Sequence, residues 1–443
     1  MPVNLPQLPN EILLQIFKLL RPSLTQETFG QFRLPPDPIP LARLCSLSKH
    51  LRELAEPLLY HTIPDQGVKT RTRLLRTLTQ RPDLAEAVRA IDLDWKDVPA
   101  NVLQDLFEAR RGHLNLPENV ETQLSDALRA GNAGAEVILI LSVLPNIKLL
   151  EFACNHDAVA MVTRFFGDIA GSLEEQSGQK RPLSQLKELR LRHWDTEGAT
   201  MIADVDDMLL PTVRILRGWA MNWEVYPGML ETPQRQLKLE HIDLSDSLCN
   251  AEGLANILSR CPDLRSLWIQ WGSSTVGGGD ELDFTRMGAA LRAHGRKLEE
   301  LMLDFREEFT YDQGEGIGRI GSLRELSSLK MLAIQQDVLV GDETESDEDS
   351  DSDSSDSSRH PALTLEQVLP ASLEKLRLYS CQPYEESLDE QLYNMIAGGR
   401  MKNLRKIRVT RTTPFSKDVK KFGWITWKRW DMMLAKRDNR GKK

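Results

Sequence analysis

One hydrophobic pattern recurs along this chain: apolar, two residues, apolar, one residue, apolar. It reads LRSLWI at 264–269, LEELML at 298–303, LKMLAI at 329–334 and LEKLRL at 373–378. LEHIDL (239–244) and LRKIRV (404–409) fit it, as do VRAIDL (88–93), IKLLEF (147–152) and LKELRL (186–191) further upstream. VRILRG (213–218) fits poorly, because Gly218 takes the third apolar place. Successive starts from 186 to 264 are 27, 26 and 25 residues apart, and the later spacings are 34, 31, 44 and 31. The alternation inside each motif predicts a short strand. Stretches between motifs, such as EGLANILSRC before PDLRSLWI and TRMGAALRAHG before RKLEELML, have helical character.

A strand this short cannot stand alone. Stacked neighbours would turn its apolar side chains into one continuous core. The recurrence resembles a leucine-rich repeat array, whose unit is a short strand plus a return helix. That resemblance implies an α/β solenoid of parallel strands plus helices, with about nine or ten units over residues 86–412. The family also favours Asn or Cys three places after the third apolar residue, and only Asn155 and Cys381 supply it here. The spacing of 44 contains an acidic run, which reads as an insertion within one unit.

A different pattern opens the chain. In MPVNLPQLPNEILLQIFKLL, the residues Leu8, Ile12, Leu13, Ile16, Phe17 and Leu20 recur at helical spacing. Pro9 suits a first helical turn, where its missing N–H costs nothing. No Lys or Arg precedes Lys18, and Asn10, Glu11 and Gln15 interrupt the apolar run, so the stretch does not read as a signal peptide. It is also too short and polar for a membrane span. A second leucine set, Leu41, Leu44, Leu47, Leu51, Leu54 and Leu58, follows in LARLCSLSKHLRELAEPLLYHTI, where Pro57 is expected to bend or end the helix.

Leu8-Pro9, Glu11-Ile12, Ile16-Phe17 and this second leucine set, in this order, resemble the F-box of fungal-type F-box proteins. The resemblance implies a small three-helix module over residues 1–65, joined to the repeats by a connecting segment at 66–85. It further implies a SKP-type adaptor and a cullin scaffold as partners. The adaptor-binding residues it implies are Leu8, Pro9, Ile12, Leu13, Ile16, Phe17, Leu41, Leu44, Leu51 and Leu54. The Pro-rich link RPSLTQETFGQFRLPPDPIP is longer than the family's usual one, and its composition reads as an extended surface loop.

Charge changes the picture in two places. The net charge of −9 arises from nine acids between Asp342 and Asp356; without them the 65 acids fall to 56, equal to the bases. Residues 341–360 are low in apolar content and dense in Asp and Ser, which predicts disorder. Thr344, Ser346 and Ser350 each have an acid three residues on, a pattern similar to acidophilic casein-type kinase sites. The segment from Lys402 to Lys443 carries 15 Lys and Arg against three Asp. Within it, FGWITWKRWDMM spaces Trp424, Trp427 and Trp430 three apart, which on a helix is one face. We read residues 413–443 as a basic aromatic cap over the last repeat, with KRDNRGKK a weak import-type signal.

Candidate chemistry is sparse. The five cysteines are widely spaced, with no C-x-x-C, so neither a disulfide framework nor a zinc site is expected. GIGRIG at 316–321 matches G-x-G-x-x-G literally, but no strand directly precedes it, so it reads as a loop. GGGD at 277–280 lacks the Gly-Lys-Ser/Thr of a phosphate loop. No H-E-x-x-H or G-x-S-x-G occurs. No catalytic residue, metal or cofactor is expected, nor a membrane or nucleic-acid partner. The compartment implied is cytosolic or nuclear.

The remaining positions in each strand would face away from the core, because strand side chains alternate. Among them, Arg190, Arg192, Arg217, Trp268, Arg377 and Tyr379 are the residue types that dominate binding hot spots. Three arginines from adjacent units suggest a target with an acidic or phosphorylated segment, unless Glu151, Glu188 and Asp243 already answer them. The expected function is substrate adaptor of an SCF-type ubiquitin ligase. The alternative is a free-standing leucine-rich repeat binding or inhibitor protein outside any ligase. Deleting residues 342–358 is expected to leave the melting temperature nearly unchanged; a large drop in thermal unfolding would show that the acidic run packs against the body.

Overall fold

The computed structural model describes residues 8–21, 37–65, 68–94, 100–114, 116–154, 156–175, 181–194, 198–226, 228–229, 235–272, 282–306, 317–341, 363–379, 386–411, 413–428 and 432–436. The acidic run, the centre of the Pro-rich link, GGGD, Asn155, Cys381, Trp430 and the basic extreme C-terminus lie outside them. The chain divides into two compact units, residues 1–196 with 200–221 and residues 197–199 with 222–443.

The first unit opens with three helices, α1 (Asn10–Leu19), α2 (Ile39–Leu47) and α3 (Lys49–Leu59). Pro9 precedes α1, and its carbonyl accepts from Ile12 and Leu13 N–H groups at 3.0 Å. Ser48 caps α3, its hydroxyl accepting from the Leu51 N–H at 3.1 Å. Pro57 does not itself end this helix, which runs on to Leu59. Immediately behind it, β1 (Thr62–Ile63) pairs in parallel with β2 (Ala90–Leu93). The sheet continues through β3 (Leu149–Cys154), β4 (Glu188–His193) and β5 (Ile215–Trp219), all parallel. Helices at Val68–Gln80, Pro82–Ala87, Ala100–Glu108, Glu118–Arg129, Ala133–Ser142 and His156–Glu175 fill the connections.

The second unit repeats the theme with β6 (His241–Ser247), β7 (Ser266–Trp271), β8 (Glu300–Asp304), β9 (Met331–Gln335), β10 (Lys375–Tyr379) and β11 (Lys406–Thr410), again parallel. Helices at Ala251–Arg260, Phe284–His294 and Glu386–Gly398 cross between strands. Every one of the ten sequence motifs becomes a strand that begins at its third residue. Pairing is motif against motif. Ile91, Leu150, Leu189 and Leu216 form one ladder, and Ile242, Leu267, Leu301, Leu332, Leu376 and Ile407 another; all are buried.

The C-terminal segment departs from the sequence expectation. Its described residues 424–428 and 432–436 are strands and not helix. It supplies β12 (Trp424–Lys428) and β13 (Met432–Lys436), an antiparallel hairpin whose β13 pairs with β11. Strand side chains alternate between faces, so a spacing of three is not the repeat of one strand face. The hairpin covers the backbone groups that β11 would otherwise present as an open edge, a position that invites a further strand. Leu434 and Met432 are buried there against the pairing partners Ile407 and Val409. Residues 317–321 of GIGRIG form a loop. Gly318 and Gly321 sit at φ +74° and +73°, and Ile317 donates to the Leu282 carbonyl at 2.8 Å.

Candidate functional site

The three-helix module sorts its apolar residues into two sets. Leu13, Phe17, Leu41, Leu51 and Ala55 form the buried centre, and Leu8, Ile16, Leu44 and Leu54 pack against it partly buried. The sequence assigned all but Ala55 to a partner surface. Leu13, Phe17, Leu41 and Leu51 face inward, at 2% exposure or less. Pro9 and Ile12 do face solvent. So do Leu19, Leu20, Ile39 and Leu47, which the sequence reading did not choose; Leu19 is 85% exposed and Leu47 67%. Ile12, Ile16 and Leu19 fall at i, i+4 and i+7 of α1, one stripe beside the inward one. Clustered exposed apolar residues mark an interaction surface. Each such side chain gains about 1.5–3 kcal/mol on full burial.

The non-core face of the first unit's sheet carries the predicted arginines, and the structure answers them. Arg190 Nε donates to Glu188 at 2.7 Å, and Arg190 lies 3.9 Å from Glu151. Arg192 is 3.7 Å from Glu151 and 3.5 Å from Asp92, and Arg217 Nε is 3.0 Å from Glu188. In-register pairing stacks Asp92, Glu151, Arg190 and Arg217 across β2 to β5, which brings acids against bases. The trio is therefore part of a largely buried ion-pair network, with Arg190 3% exposed, and not an unanswered cationic patch.

The second unit's equivalent face differs. Asp304 accepts twice from Arg306, at 2.8 and 2.7 Å. The Arg306 and Arg377 guanidiniums lie 4.3 and 4.8 Å from the Tyr379 ring centre. Tyr379 itself is buried, and burial raises its hydroxyl pKa. Gln335, fully buried beside Tyr379, has no hydrogen-bond partner at either amide atom. Half-buried Trp268 and Arg377 likewise lack partners at Nε1 and Nε. Trp268, Arg377 and Tyr379 thus share a face, but Trp268 stands three strands from Arg377.

Among the described residues no group of His, Cys, Asp or Glu is placed to hold a metal ion, and no helix is long and apolar enough to cross a membrane. Cys154 is buried, and burial pushes its thiol up to about 12, so no reactive thiolate forms there.

Residues 5–63 match the F-box-like family model. No curated protein matches the chain. The F-box-like match coincides with the three helices and β1, so the module with the exposed stripe is the part of the chain whose relatives typically bind SKP-type adaptors in SCF complexes.

A charged contact joins the end of α1 to the segment after α3. Arg21, just past α1, donates through Nη1 to His61 Nε2 at 2.9 Å, which requires that nitrogen to be unprotonated. The His61 carbonyl in turn accepts from the Arg89 N–H at 2.9 Å, tying the module to the sheet. Burial, then the charges of Arg21, Arg89 and Lys148, push the His61 imidazole down to about 4.

Two outcomes follow. Between pH 6.5 and about 4 the unfolded chain binds a proton at His61 that the folded chain refuses, so stability falls as pH drops through that window. The melting temperature is expected to decrease from pH 7.5 to 5.0 more in the wild type than in His61→Gln. For the arginine network, Arg190→Ala leaves Glu151 and Glu188 short of a buried partner. It is expected to cost about 3–5 kcal/mol in chemical denaturation, where a solvated arginine would cost almost nothing.

Proposed function

We propose that this chain is the substrate-recognition adaptor of an SCF-type E3 ubiquitin ligase. The carrying observation is the F-box-like match at residues 5–63, in a module that leaves Ile12, Leu19, Ile39 and Leu47 exposed. In this reading those side chains, with Pro9 and the partly buried Ile16, meet a SKP-type adaptor, which joins a cullin scaffold. The strand-and-helix repeats behind the module act as a leucine-rich repeat array that holds the protein target. The polar face around Trp268, Gln335, Arg377 and Tyr379 is the better candidate for target contact. Trp268 Nε1, Arg377 Nε and the Gln335 amide lack hydrogen-bond partners there, whereas Arg190 Nε and Arg217 Nε already donate to Glu188. An unpaired buried polar group costs about 1–3 kcal/mol, which a ligand can recover. The chain performs no chemistry of its own. It raises the effective concentration of a target lysine near the ubiquitin-loaded enzyme. Cytosol or nucleus is the setting this role requires.

The test is affinity capture of the SKP-type adaptor by the full chain. Ile12→Asp with Leu19→Asp places two charges where partner burial would strip their water. Capture is expected to weaken a hundredfold or more with the melting temperature unchanged, because both side chains already face solvent. Capture at the wild-type level by this double variant would defeat the reading.

A further inference from the structure

The second residue of each sequence motif lies just before its strand, where the backbone already pairs. In the first unit these residues form a continuous hydrogen-bonded rung series. Arg89 N donates to the His61 carbonyl at 2.9 Å and Lys148 N to Arg89 at 2.7 Å; Lys187 N to Lys148 and Arg214 N to Lys187 are both 2.9 Å. Adjacent strands are about 4.8 Å apart. Four cationic residues in succession, Arg89, Lys148, Lys187 and Arg214, therefore stand side by side, with His61 and Arg21 at the end nearest the F-box-like module.

The second unit shows what the same position looks like when it is self-sufficient. There the series is Glu240, Arg265, Glu299, Lys330, Glu374 and Arg405, joined by the same backbone bonds. Charge alternates at every step, and Glu299 pairs with Lys330 at 2.5 Å and Arg265 at 3.6 Å. In the first unit the alternation is missing. Among the described residues, Arg89, Lys148 and Lys187 make no ion pair. Arg89 donates to the Val88 carbonyl at 2.9 Å, and also to that of Glu86; Arg214 donates to Pro211 at 2.8 Å and Val213 at 3.0 Å. Glu188 neighbours Lys187, but its carboxylate is engaged by Arg190 and Arg217 on the sheet face. Lys148 and Lys187 are exposed. Like charges directly opposite on adjacent strands destabilise a sheet, so Arg89, Lys148 and Lys187 in register are a standing cost unless something anionic covers them.

We propose that this basic ladder is a docking strip for an extended acidic segment of a partner protein. From Arg89 to Arg214 there are three steps of about 4.8 Å, about 14 Å in all, the reach of roughly four extended residues. Lys and Arg at every step suit a run of carboxylates, each met at its own rung. A single-stranded nucleic acid fits less well, because such strands are held by aromatic side chains on which bases stack, and no aromatic residue occupies a rung. The strip is separate from the exposed stripe of α1, and it stands whether or not the module binds a SKP-type adaptor.

The probe is a fluorescein-labelled octaglutamate carrying a terminal benzophenone, titrated against the full chain. Binding is expected to weaken steeply with added salt, as screening shortens the reach of exposed charges. Photo-cross-links are expected along the strip near residues 89, 148 and 187. Lys148→Glu with Lys187→Glu should weaken binding at least tenfold and remove those cross-links. Lys148→Gln with Lys187→Gln should weaken it less while raising the melting temperature, because it relieves repulsion that exists only if the rungs are uncompensated. Three results would overturn the proposal: cross-links in the wild type confined to residues 413–443, equal affinity in the wild type and the Glu variant, or an eight-nucleotide oligomer that outcompetes octaglutamate at the strip. Capture of the SKP-type adaptor by the Glu variant should stay at the wild-type level, which separates this test from that of the ligase reading.

Discussion

A strand of four to seven residues has no stability of its own, and the whole body of this chain is built to supply the missing neighbours. Leu267, Leu301, Leu332, Leu376 and Ile407 meet because parallel strands pair motif to motif. Their burial is the favourable term that orders each connection. Slipping one strand by a residue would turn its apolar side chains to the polar face, so the register is strongly held. In the first unit β1 follows directly on the helical module, and in the second unit β11 is paired by a hairpin.

Register has a consequence beyond the core. Once like positions are stacked, every other position of the motif is stacked as well, and its chemistry is multiplied along the sheet. Where acids and bases follow one another from strand to strand, the result is a neutral, rigid network, as with Asp92, Glu151, Arg190 and Arg217. Where only bases follow, the result is a charged strip. The same backbone geometry yields opposite surfaces, and the choice is made one residue per repeat. Buried ion pairs of the first kind contribute less to net stability than to fixing one arrangement, since desolvation offsets much of the attraction.

This explains which parts of the structure were legible in the sequence. The ten motifs announced their strands, because apolar spacing is a property of the segment itself. The fate of the arginines was not legible in the same way. Sequence leaves open whether Arg190, Arg192 and Arg217 form an unanswered patch or pair with Glu151, Glu188 and Asp243; stacking in register places Glu151 directly against Arg190. The cue was present: acids at the same position of the preceding motifs. The C-terminal tryptophans misled because a spacing of three fits a helix, while the Thr and Ile between them favour a strand. In α1, apolar residues sit on two adjacent stripes, and sequence alone does not say which one faces inward. The structure assigns Leu13 and Phe17 to the core and Ile12 and Leu19 to solvent.

That division bears on how the F-box-like module holds together. Among the described residues its fully buried centre is five side chains, one of them alanine. Domains of this size bury only about 60% of the surface their unfolded chain exposes and are correspondingly marginal. Two attachments supplement the core here. One is the pairing of Thr62 and Ile63 with Ala90 and Ile91, and the other is the Arg21–His61 contact, which depends on an unprotonated imidazole. A protein bound over Ile12, Leu19, Ile39 and Leu47 would add a third, by burying apolar surface on the outer side of the same helices. Binding to the folded form alone stabilises that form by mass action. Surface left exposed for a partner is thus surface withheld from the module's own stability, and the sheet behind it compensates.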